Sequence, residues 1–290
     1  KFMLFVSFFP QLVAGPIERF GKLHKQLFAA YQPRLEDLKN GGRLLLYGLF
    51  LKVAVADNLA GVVDSYYADP GAYARSSAWV ATFMFTFQVY YDFFGYSLLA
   101  QGAALLFGIH LMDNFNKPFL AQSVPEFWHR WHISLSTRFR DYIYIPIGGN
   151  KGGTGILIVG VLLVFFTSGL WHGANATMIY FGLAQGVLYL FDRFIFRKTF
   201  SGNSVGVAFR RLKTAFFFMS TLVFFRSGNV GQMVDIFNHL WVPRTYCDTP
   251  AMHVSVTPQV WLFLVVGCVL DHWIVKERVD RCVWPLHMGY

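Results

Sequence analysis

The sequence predicts an all-α, polytopic bundle of transmembrane helices, and composition is the first reason. Hydrophobic residues make up 55% of the 290 residues and aromatic residues 19%, whereas charged residues make up only 14%. Soluble domains carry about 25% charged residues, so this chain has more apolar surface than a soluble core of its length could bury. The second reason is arrangement, because apolar runs of membrane-crossing length alternate with polar loops.

The predicted spans are read in order from these apolar runs. The run at 78–110 is longer than the roughly 20 residues that cross a bilayer, so a break is expected near Gly95. Lys52 and Asp57 interrupt another span, one face of which is expected to meet protein or water. The segment around 111–153 is too aromatic and too charged for a simple span and is predicted to be partly re-entrant. The runs taken as spans or parts of spans are 1–15, 44–63, 78–110, 154–171, 174–191, 214–226 and 259–275.

The formal net charge of +9 comes largely from basic residues in the predicted loops. Loops 16–43 and 192–213 hold six basic residues each, whereas loops 64–77 and 227–258 hold one each. Because short cytoplasmic loops are enriched in Lys and Arg, the first two loops and segment 111–153 are predicted to be cytoplasmic. The basic residues therefore indicate a lipid bilayer as partner and not a nucleic acid.

The chain is predicted to be one membrane-embedded domain over residues 1–290. An apolar run is already under way at Phe2, so further N-terminal spans are expected ahead of it. Three cysteines, Cys247, Cys268 and Cys282, have neither metal-site spacing nor a disulfide framework. No metal site is predicted.

The first candidate for chemistry is His132. Pro125–Asp141 is predicted as one helix, with Ser123 as N-cap and Glu126 completing a capping box. Three-and-four spacing then places His132 on an aromatic face with Trp128, Trp131, Leu135 and Phe139. Two interpretations stay open, a core histidine bonded to a backbone carbonyl or a functional one. His129 is expected at the rim.

The second candidate is His172, which lies between two apolar runs. Gly169, Gly173 and Ala174 allow close backbone approach and leave room for a ligand. An ionisable residue in such a position indicates function by default, and the alternative is a hydrogen bond between helices.

Two weaker candidates also have alternatives. The glycine-rich stretch 148–153 with Lys151 could form a phosphate-binding nest, but a flexible turn explains it as well. Asp92 could be a buried polar staple or part of a proton path.

Six blocks of the sequence, in this order, carry a resemblance to a known family. They are FPQLVAGPIERF (ending at Phe20), ADNLAGVVD (56–64), FQVYYDFFGYS (87–97), NFNKPFL (114–120), EFWHRWHISLSTRFRDYIYIPIGGN (126–150) and SGLWHGAN (168–175). Through these blocks the chain is similar to the membrane-bound O-acyltransferases, in the branch of bacterial alginate and other exopolysaccharide O-acetyltransferases. Two departures are Leu98, where the family often has Asp, and Ser168, where it often has Gly.

The resemblance implies roles for particular residues. His172 corresponds to the catalytic histidine, expected to act as general base, and His132 to a second active-site histidine that orients substrate or stabilises the oxyanion. The substrate tunnel is expected to be lined by Trp128, Trp131, Trp171, Ser168, Asn175 and Asp92. The phosphates of the donor are assigned to Arg138, Arg140 and Lys151. Residues 1–200 carry the family core, and 201–290 supply C-terminal spans.

The resemblance also implies the molecular setting. No cofactor is expected to be bound, and acetyl-coenzyme A or an acyl-carrier thioester is the expected co-substrate. The acceptor is expected to be a polysaccharide outside the bacterial cytoplasmic (inner) membrane, with a serine-esterase-like periplasmic acyltransferase as partner.

Three rival functions are kept. D-alanylation of teichoic acid or O-acetylation of peptidoglycan would use the same chemistry. A proton-coupled transporter or flippase predicts inverted repeats, and the sequence has none. A non-catalytic scaffold would not need His172.

Overall fold

The computed structural model describes residues 2–12, 15–31, 34–196, 204–242 and 252–281. These residues form helices and no β-strand, which confirms the all-α prediction. Arg197, Lys198, Cys247 and Cys282 lie outside the described residues. The α-helices are α1 (Phe2–Val6), α2 (Phe9–Leu12), α3 (Phe20–Leu27), α4 (Leu35–Leu49), α5 (Asp57–Ala68), α6 (Arg75–Leu106), α7 (Val124–Arg130), α8 (Ile133–Phe139), α9 (Gly153–His172), α10 (Ala176–Phe191), α11 (Ser204–Arg226), α12 (Val230–Trp241) and α13 (Pro258–Arg281).

Three helical segments of the described chain are long and apolar enough to cross a membrane. They are Leu35–Ala68, Gly153–His172 and Ala176–Phe196. The first is a rod in which the π-helical turns of Phe50–Ala56 join α4 to α5. The predicted spans 154–171 and 174–191 coincide closely with α9 and α10. The protein is therefore a membrane protein built from helices.

The break predicted near Gly95 is wrong, because α6 runs without interruption from Arg75 to Leu106. Gly95 instead marks the point where α6 crosses α4. A Cβ atom on Gly95 would lie 2.8 Å from the carbonyl oxygen of Gly48, and one on Gly48 would lie 2.6 Å from the carbonyl oxygen of Gly95. The missing side chains let the two backbones touch, so this glycine serves packing and not a kink.

A second glycine contact closes the hairpin of α9 and α10. A Cβ atom on Gly169 would lie 2.3 Å from the carbonyl oxygen of Met178, and one on Gly182 would lie 2.2 Å from that of Phe165. This confirms the close backbone approach expected at Gly169. The hairpin fixes where α9 ends, and His172 is its last residue.

The main core is a layer of aromatic side chains between α6 and the α7–α8 segment. The indole of Trp131 lies 4.8 Å from the ring of Phe218, 5.0 Å from Phe115 and 5.7 Å from Tyr90, measured between ring centroids. Aromatic pairs at these separations attract one another beyond their area of burial. This layer places the α7–α8 segment against α6.

Several predicted loops contain helices. Loop 227–258 holds α12, loop 192–213 contains the start of α11, and loop 16–43 contains α3 and the start of α4. The run 1–15 forms two short helices, α1 and α2, and not the end of a single one. In the three loops polar residues interrupt the apolar pattern while the chain forms helices, because one helical face can stay exposed.

Candidate active site

His132 lies at a bend between two short helices. α7 ends at Arg130 and α8 begins at Ile133. Between them Trp131 is extended, at φ −109° and ψ 129°, and His132 adopts φ 46° and ψ 53°. This left-handed conformation costs a residue other than glycine roughly 1–2 kcal/mol. The single helix predicted over Pro125–Asp141 is therefore wrong at this residue. The aromatic side chains predicted to share one helical face belong instead to two helices and the bend between them.

The start of this segment was predicted correctly. The hydroxyl oxygen of Ser123 accepts a hydrogen bond of 3.2 Å from the backbone N–H of Glu126, which confirms the N-cap. The Glu126 carboxylate returns to the backbone N–H of Gln122, at 2.8 Å, one residue before the expected partner. The cap orients α7 toward the bend.

A short extended segment, residues 114–116, runs antiparallel to the bend and pairs with it. The N–H of Asn116 donates to the carbonyl of Arg130 at 2.9 Å, and the N–H of Ile133 donates to the carbonyl of Asn114 at 3.0 Å. An isolated bridge joins the residues between them. These bonds satisfy backbone groups that a continuous helix would have paired internally.

A buried polar network lies under the same bend, and sequence reasoning missed it. The side-chain oxygen of Asn114 accepts a bond of 2.6 Å from the Ser134 hydroxyl, and its amide nitrogen donates to the Ser97 hydroxyl at 3.0 Å. Asn114 is 1% exposed and Ser134 0%. The available signal was one asparagine next to Phe115 in an aromatic stretch, where a polar residue needs a partner if it is buried.

The His132 side chain is buried among aromatic rings. Its ring centroid lies 4.6 Å from that of Phe93, edge to face, and the residue is 8% exposed. Nδ1 is buried and has no hydrogen-bond partner among the described residues, so a core histidine bonded to a backbone carbonyl through Nδ1 does not fit. His132 lies outside the membrane-crossing helices, and burial, together with the nearby His172, lowers its pKa to about 3.

His172 is exposed, although the sequence suggested an apolar interior. It is the last residue of α9, and the chain becomes extended at Gly173. Its ring centroid lies 5.3 Å from that of Phe225 and 6.4 Å from that of Phe181. The two predicted histidines therefore come from separate elements and are close enough to interact electrostatically.

The three predicted tunnel tryptophans lie in different environments. Trp131 is buried in the aromatic core, and the indole N–H of Trp128 donates to the side-chain oxygen of Gln185 at 3.3 Å. Trp171 is 62% exposed, and its ring meets that of Phe139 at 6.3 Å. Trp171 therefore does not line an enclosed space within the described part of the chain, and the tunnel stays a prediction.

Ser168 and Asn175 flank the His172 end of the hairpin. Ser168 is buried in α9. The Asn175 side-chain oxygen caps α10 by accepting from the N–H of Thr177 at 3.4 Å, and its amide donates to the carbonyl of Gly228 at 3.3 Å. Asn175 thus ties the loop after His172 to the start of α12.

Asp92 belongs to a cluster of three charges. Nζ of Lys52 lies 2.6 Å from carboxylate oxygens of both Asp92 and Asp57. All three side chains are partly exposed, so this is an ion-pair staple between α6 and the long Leu35–Ala68 rod, though not a buried one. The assignment of Asp92 to the tunnel stays a prediction.

The basic residues assigned to the donor are partly engaged by the protein. Arg138 donates to the backbone carbonyl of Glu18, and Nε of Arg140 donates to Asp141 at 2.9 Å. Lys151 is exposed. Of the three, Lys151 is the most accessible to an anionic ligand.

The glycine-rich stretch forms a turn ahead of α9. Gly148, Gly149 and Gly153 have φ of 125°, 52° and 80°, which favours glycine. The N–H groups of Lys151 and Gly152 both donate to the Gly148 carbonyl, at 3.0 and 3.2 Å. Because these donors are already used, the turn explains the stretch better than a phosphate nest.

The described residues contain no group of His, Cys, Asp and Glu that could hold a metal ion. Cys268, in α13, accepts a hydrogen bond of 3.2 Å from the Tyr91 hydroxyl. Cys268 is exposed and contacts α6 through this bond.

Comparisons with known proteins match most of this chain. The model of the membrane-bound O-acyltransferase family matches residues 1–227. A probable alginate O-acetylase of Azotobacter vinelandii is 42% identical over 194 residues, which is 66% of this chain and 38% of the relative. A peptidoglycan O-acetyltransferase of Helicobacter pylori is 39% identical, covering 64% of this chain and 36% of the relative.

A more distant relative has a different named activity. A teichoic acid D-alanyltransferase of Bacillus subtilis is 28% identical over 200 residues, covering 65% of this chain and 50% of the relative. The chain therefore spans only half or less of the length of these curated relatives.

Proposed function

The chain belongs to the membrane-bound O-acyltransferase family, and we propose that it moves an acyl group, acetyl in the first instance, from a cytoplasmic thioester to a hydroxyl outside the membrane. The observation that carries the proposal is that two histidines from separate elements, one exposed at the end of α9 and one buried at a strained bend, are close enough to interact electrostatically. The relatives named for O-acetylation support acetyl as the group transferred.

His172 is proposed as the general base because it is the accessible histidine of the two. It takes the proton from the acceptor hydroxyl as the hydroxyl oxygen attacks the thioester carbonyl carbon. The tetrahedral intermediate then collapses, the carbon–sulfur bond breaks, and His172 returns the proton to the leaving thiolate. A general base of this kind contributes roughly 10²–10⁴-fold to the rate.

His132 is proposed to steady the developing oxyanion. Its lowered pKa keeps the imidazole neutral at physiological pH, and a neutral imidazole has one N–H donor and one acceptor nitrogen. A fixed donor in a site with little water stabilises negative charge without having to reorganise, and one such donor is worth roughly 10²–10³-fold. The strained backbone at His132 fits a residue held for this purpose.

The remaining partners follow from the reaction. The donor is proposed to be acetyl-coenzyme A or an acyl-carrier thioester, with Arg138, Arg140 and Lys151 near its phosphates. The acceptor is proposed to be an exopolysaccharide, or a serine-esterase-like periplasmic protein that passes the acyl group on. The site would lie in the bacterial inner membrane, between a cytoplasmic donor and an external acceptor.

A second candidate function uses the same site with a different acyl group or a different acceptor. The D-alanyltransferase and the peptidoglycan O-acetyltransferase among the relatives favour alanyl transfer to teichoic acid, or acetyl transfer to peptidoglycan, as alternatives. Both require a base and an oxyanion donor in the same places. The donor that the protein accepts separates alanyl from acetyl transfer.

The test compares the full chain with His172→Ala and His132→Ala in native membranes, with His129→Ala as the matched control. His129 is exposed and lies three residues before His132. Membranes receive radiolabelled acetyl-coenzyme A and periplasmic extract, and label in polymer or partner protein is counted at equal protein amounts. Transfer should fall by roughly 10²–10⁴-fold in His172→Ala and stay near native in His129→Ala.

Two outcomes would change the conclusion. Native transfer by His172→Ala would remove this residue from the reaction and make its position structural. Absence of label from acetyl-coenzyme A with the native protein, together with transfer from a D-alanyl carrier protein, would make alanyl transfer the function.

A further inference from the structure

The bend at His132 needs an external restraint. Beyond Trp131, which is extended at φ −109° and ψ 129°, the residues on both sides of the bend are helical in α7 and α8. The unrestrained chain would therefore favour one straight helix, as the sequence itself predicted. Moving φ of His132 from 46° to the helical value of about −63° would turn the chain roughly 110° about the N–Cα bond. The direction of the imidazole therefore depends on whatever holds the left-handed conformation.

Asn114 holds the C-terminal side of the bend at two consecutive residues. Its carbonyl accepts from the N–H of Ile133 at 3.0 Å, and its side-chain oxygen accepts from the hydroxyl of Ser134 at 2.6 Å. Its amide nitrogen donates to the hydroxyl of Ser97 on α6, at 3.0 Å. One buried side chain thus fastens the bend to the long helix that also carries Phe93, the ring against His132.

We propose that Asn114 is a positioning residue for acyl transfer, which aims the His132 imidazole at the reacting carbonyl by locking the bend to α6. This inference rests on the proposed role of His132. Asn114 itself touches no reacting atom. Its contribution is geometric, and a shift of about 1 Å in a catalytic group can cost 10²-fold in rate.

The experiment measures steady-state acyl transfer by the full chain in membranes, with kcat and the KM for the thioester determined separately. Asn114→Ala is expected to lower kcat by roughly 10–100-fold while KM for the donor stays close to native. The matched control is Asn116→Ala, because Asn116 is exposed and meets the bend through its backbone. If Asn114→Ala does not accumulate in membranes, Ser134→Ala and Ser97→Ala each remove a single bond of the same network.

A double variant separates positioning from general stability. If Asn114 acts through His132, then His132→Ala/Asn114→Ala should have the same kcat as His132→Ala alone, because the group being aimed is already gone. A further drop in the double variant would assign Asn114 to the fold and overturn the inference.

The single variants distinguish the two levels of failure. Impaired transfer in His132→Ala with native kcat in Asn114→Ala would overturn the positioning role and leave the proposed function standing. Native transfer in His132→Ala would remove His132 from the reaction, and the inference would fall with it.

Discussion

The close contact of α4 and α6 at their crossing lets us predict how much the substitution Gly48→Ala destabilises the protein. In Gly48→Ala the new Cβ atom would lie 2.6 Å from the carbonyl oxygen of Gly95, 2.8 Å from a side-chain carbon of Leu99 and 2.9 Å from its backbone nitrogen. Ordinary contacts of a Cβ atom begin near 3.4 Å. Because two of the three atoms are backbone, no rotamer change relieves them, and the helices must separate by roughly 0.8 Å at this point.

The magnitude is the difference between two opposing terms. Overpacking of this kind costs about 1–3 kcal/mol, whereas alanine in place of glycine within a helix contributes about 0.5–1 kcal/mol of stability. We therefore expect Gly48→Ala to lower the free energy of unfolding by about 1–2 kcal/mol. Gly42→Ala is the matched control in the same helix, because a Cβ atom there meets nothing within 4 Å, and only the stabilising term applies.

The assay is thermal unfolding of the detergent-solubilised full chain, followed by tryptophan fluorescence for both variants and the native protein. The Tm should fall in Gly48→Ala and stay equal or rise in Gly42→Ala. Acyl transfer should fall in the first variant as well, because Phe93 and Ser97 lie on α6 on either side of the crossing. Equal Tm values for the two variants would refute the close backbone contact.

Two further predictions concern buried polar contacts, and both use the same unfolding assay. Asp192→Ala should destabilise by about 3–5 kcal/mol, because it strands the nearly buried ammonium of Lys213 and removes the acceptor of the Val124 N–H. Adding Lys213→Met should recover the part of the loss that comes from the stranded ammonium, and no recovery would contradict the ion pair. Gln185→Leu should cost about 1–3 kcal/mol, because it leaves the indole N–H of Trp128 without its acceptor and removes the bond to the Thr221 hydroxyl. A native Tm would show that the two bonds together contribute nothing.

Local features of the site were predictable from the sequence. The N-cap at Ser123, the helical runs on both sides of His172 and the close approach at Gly169 were all expected and are present. Each depends on residues within a few positions of one another, or on an apolar run long enough to cross a membrane. These local structures are kept in the folded protein because tertiary contacts favour the same conformations.

The bend at His132 was not predictable by the same reasoning. Helical spacing continues through Trp131 and His132, and nothing adjacent to them breaks a helix. The break is imposed by Asn114, eighteen positions earlier, and the benefit of its bonds appears only when the chain is folded. The continuous α6 was missed for a related reason, since 32 residues span about 48 Å and the expected break assumed that the whole run lies within the bilayer.

The arrangement around α7 and α8 gives a physical reason for the order of sequence blocks through which the chain resembles its family. Block 126–150 is the centre, and most of the other blocks hold it directly. The first block reaches it through Glu18 and Arg19, which contact Arg138 and Asp141. The block 87–97 supplies Phe93 and Ser97, and the block 114–120 supplies the extended segment 114–116 that pairs with the bend.

The two blocks that remain reach the centre in different ways. In block 168–175, the ring of Trp171 meets that of Phe139, and His172 interacts electrostatically with His132. Block 56–64 is linked to block 87–97 through Lys52, which forms ion pairs with both Asp57 and Asp92. The blocks thus pack together so that one histidine stays buried at a strained bend, close enough to a second, accessible histidine to interact with it. A change at a residue whose side chain makes one of these contacts should therefore affect acyl transfer through the position of His132, even where that residue lies far from either imidazole.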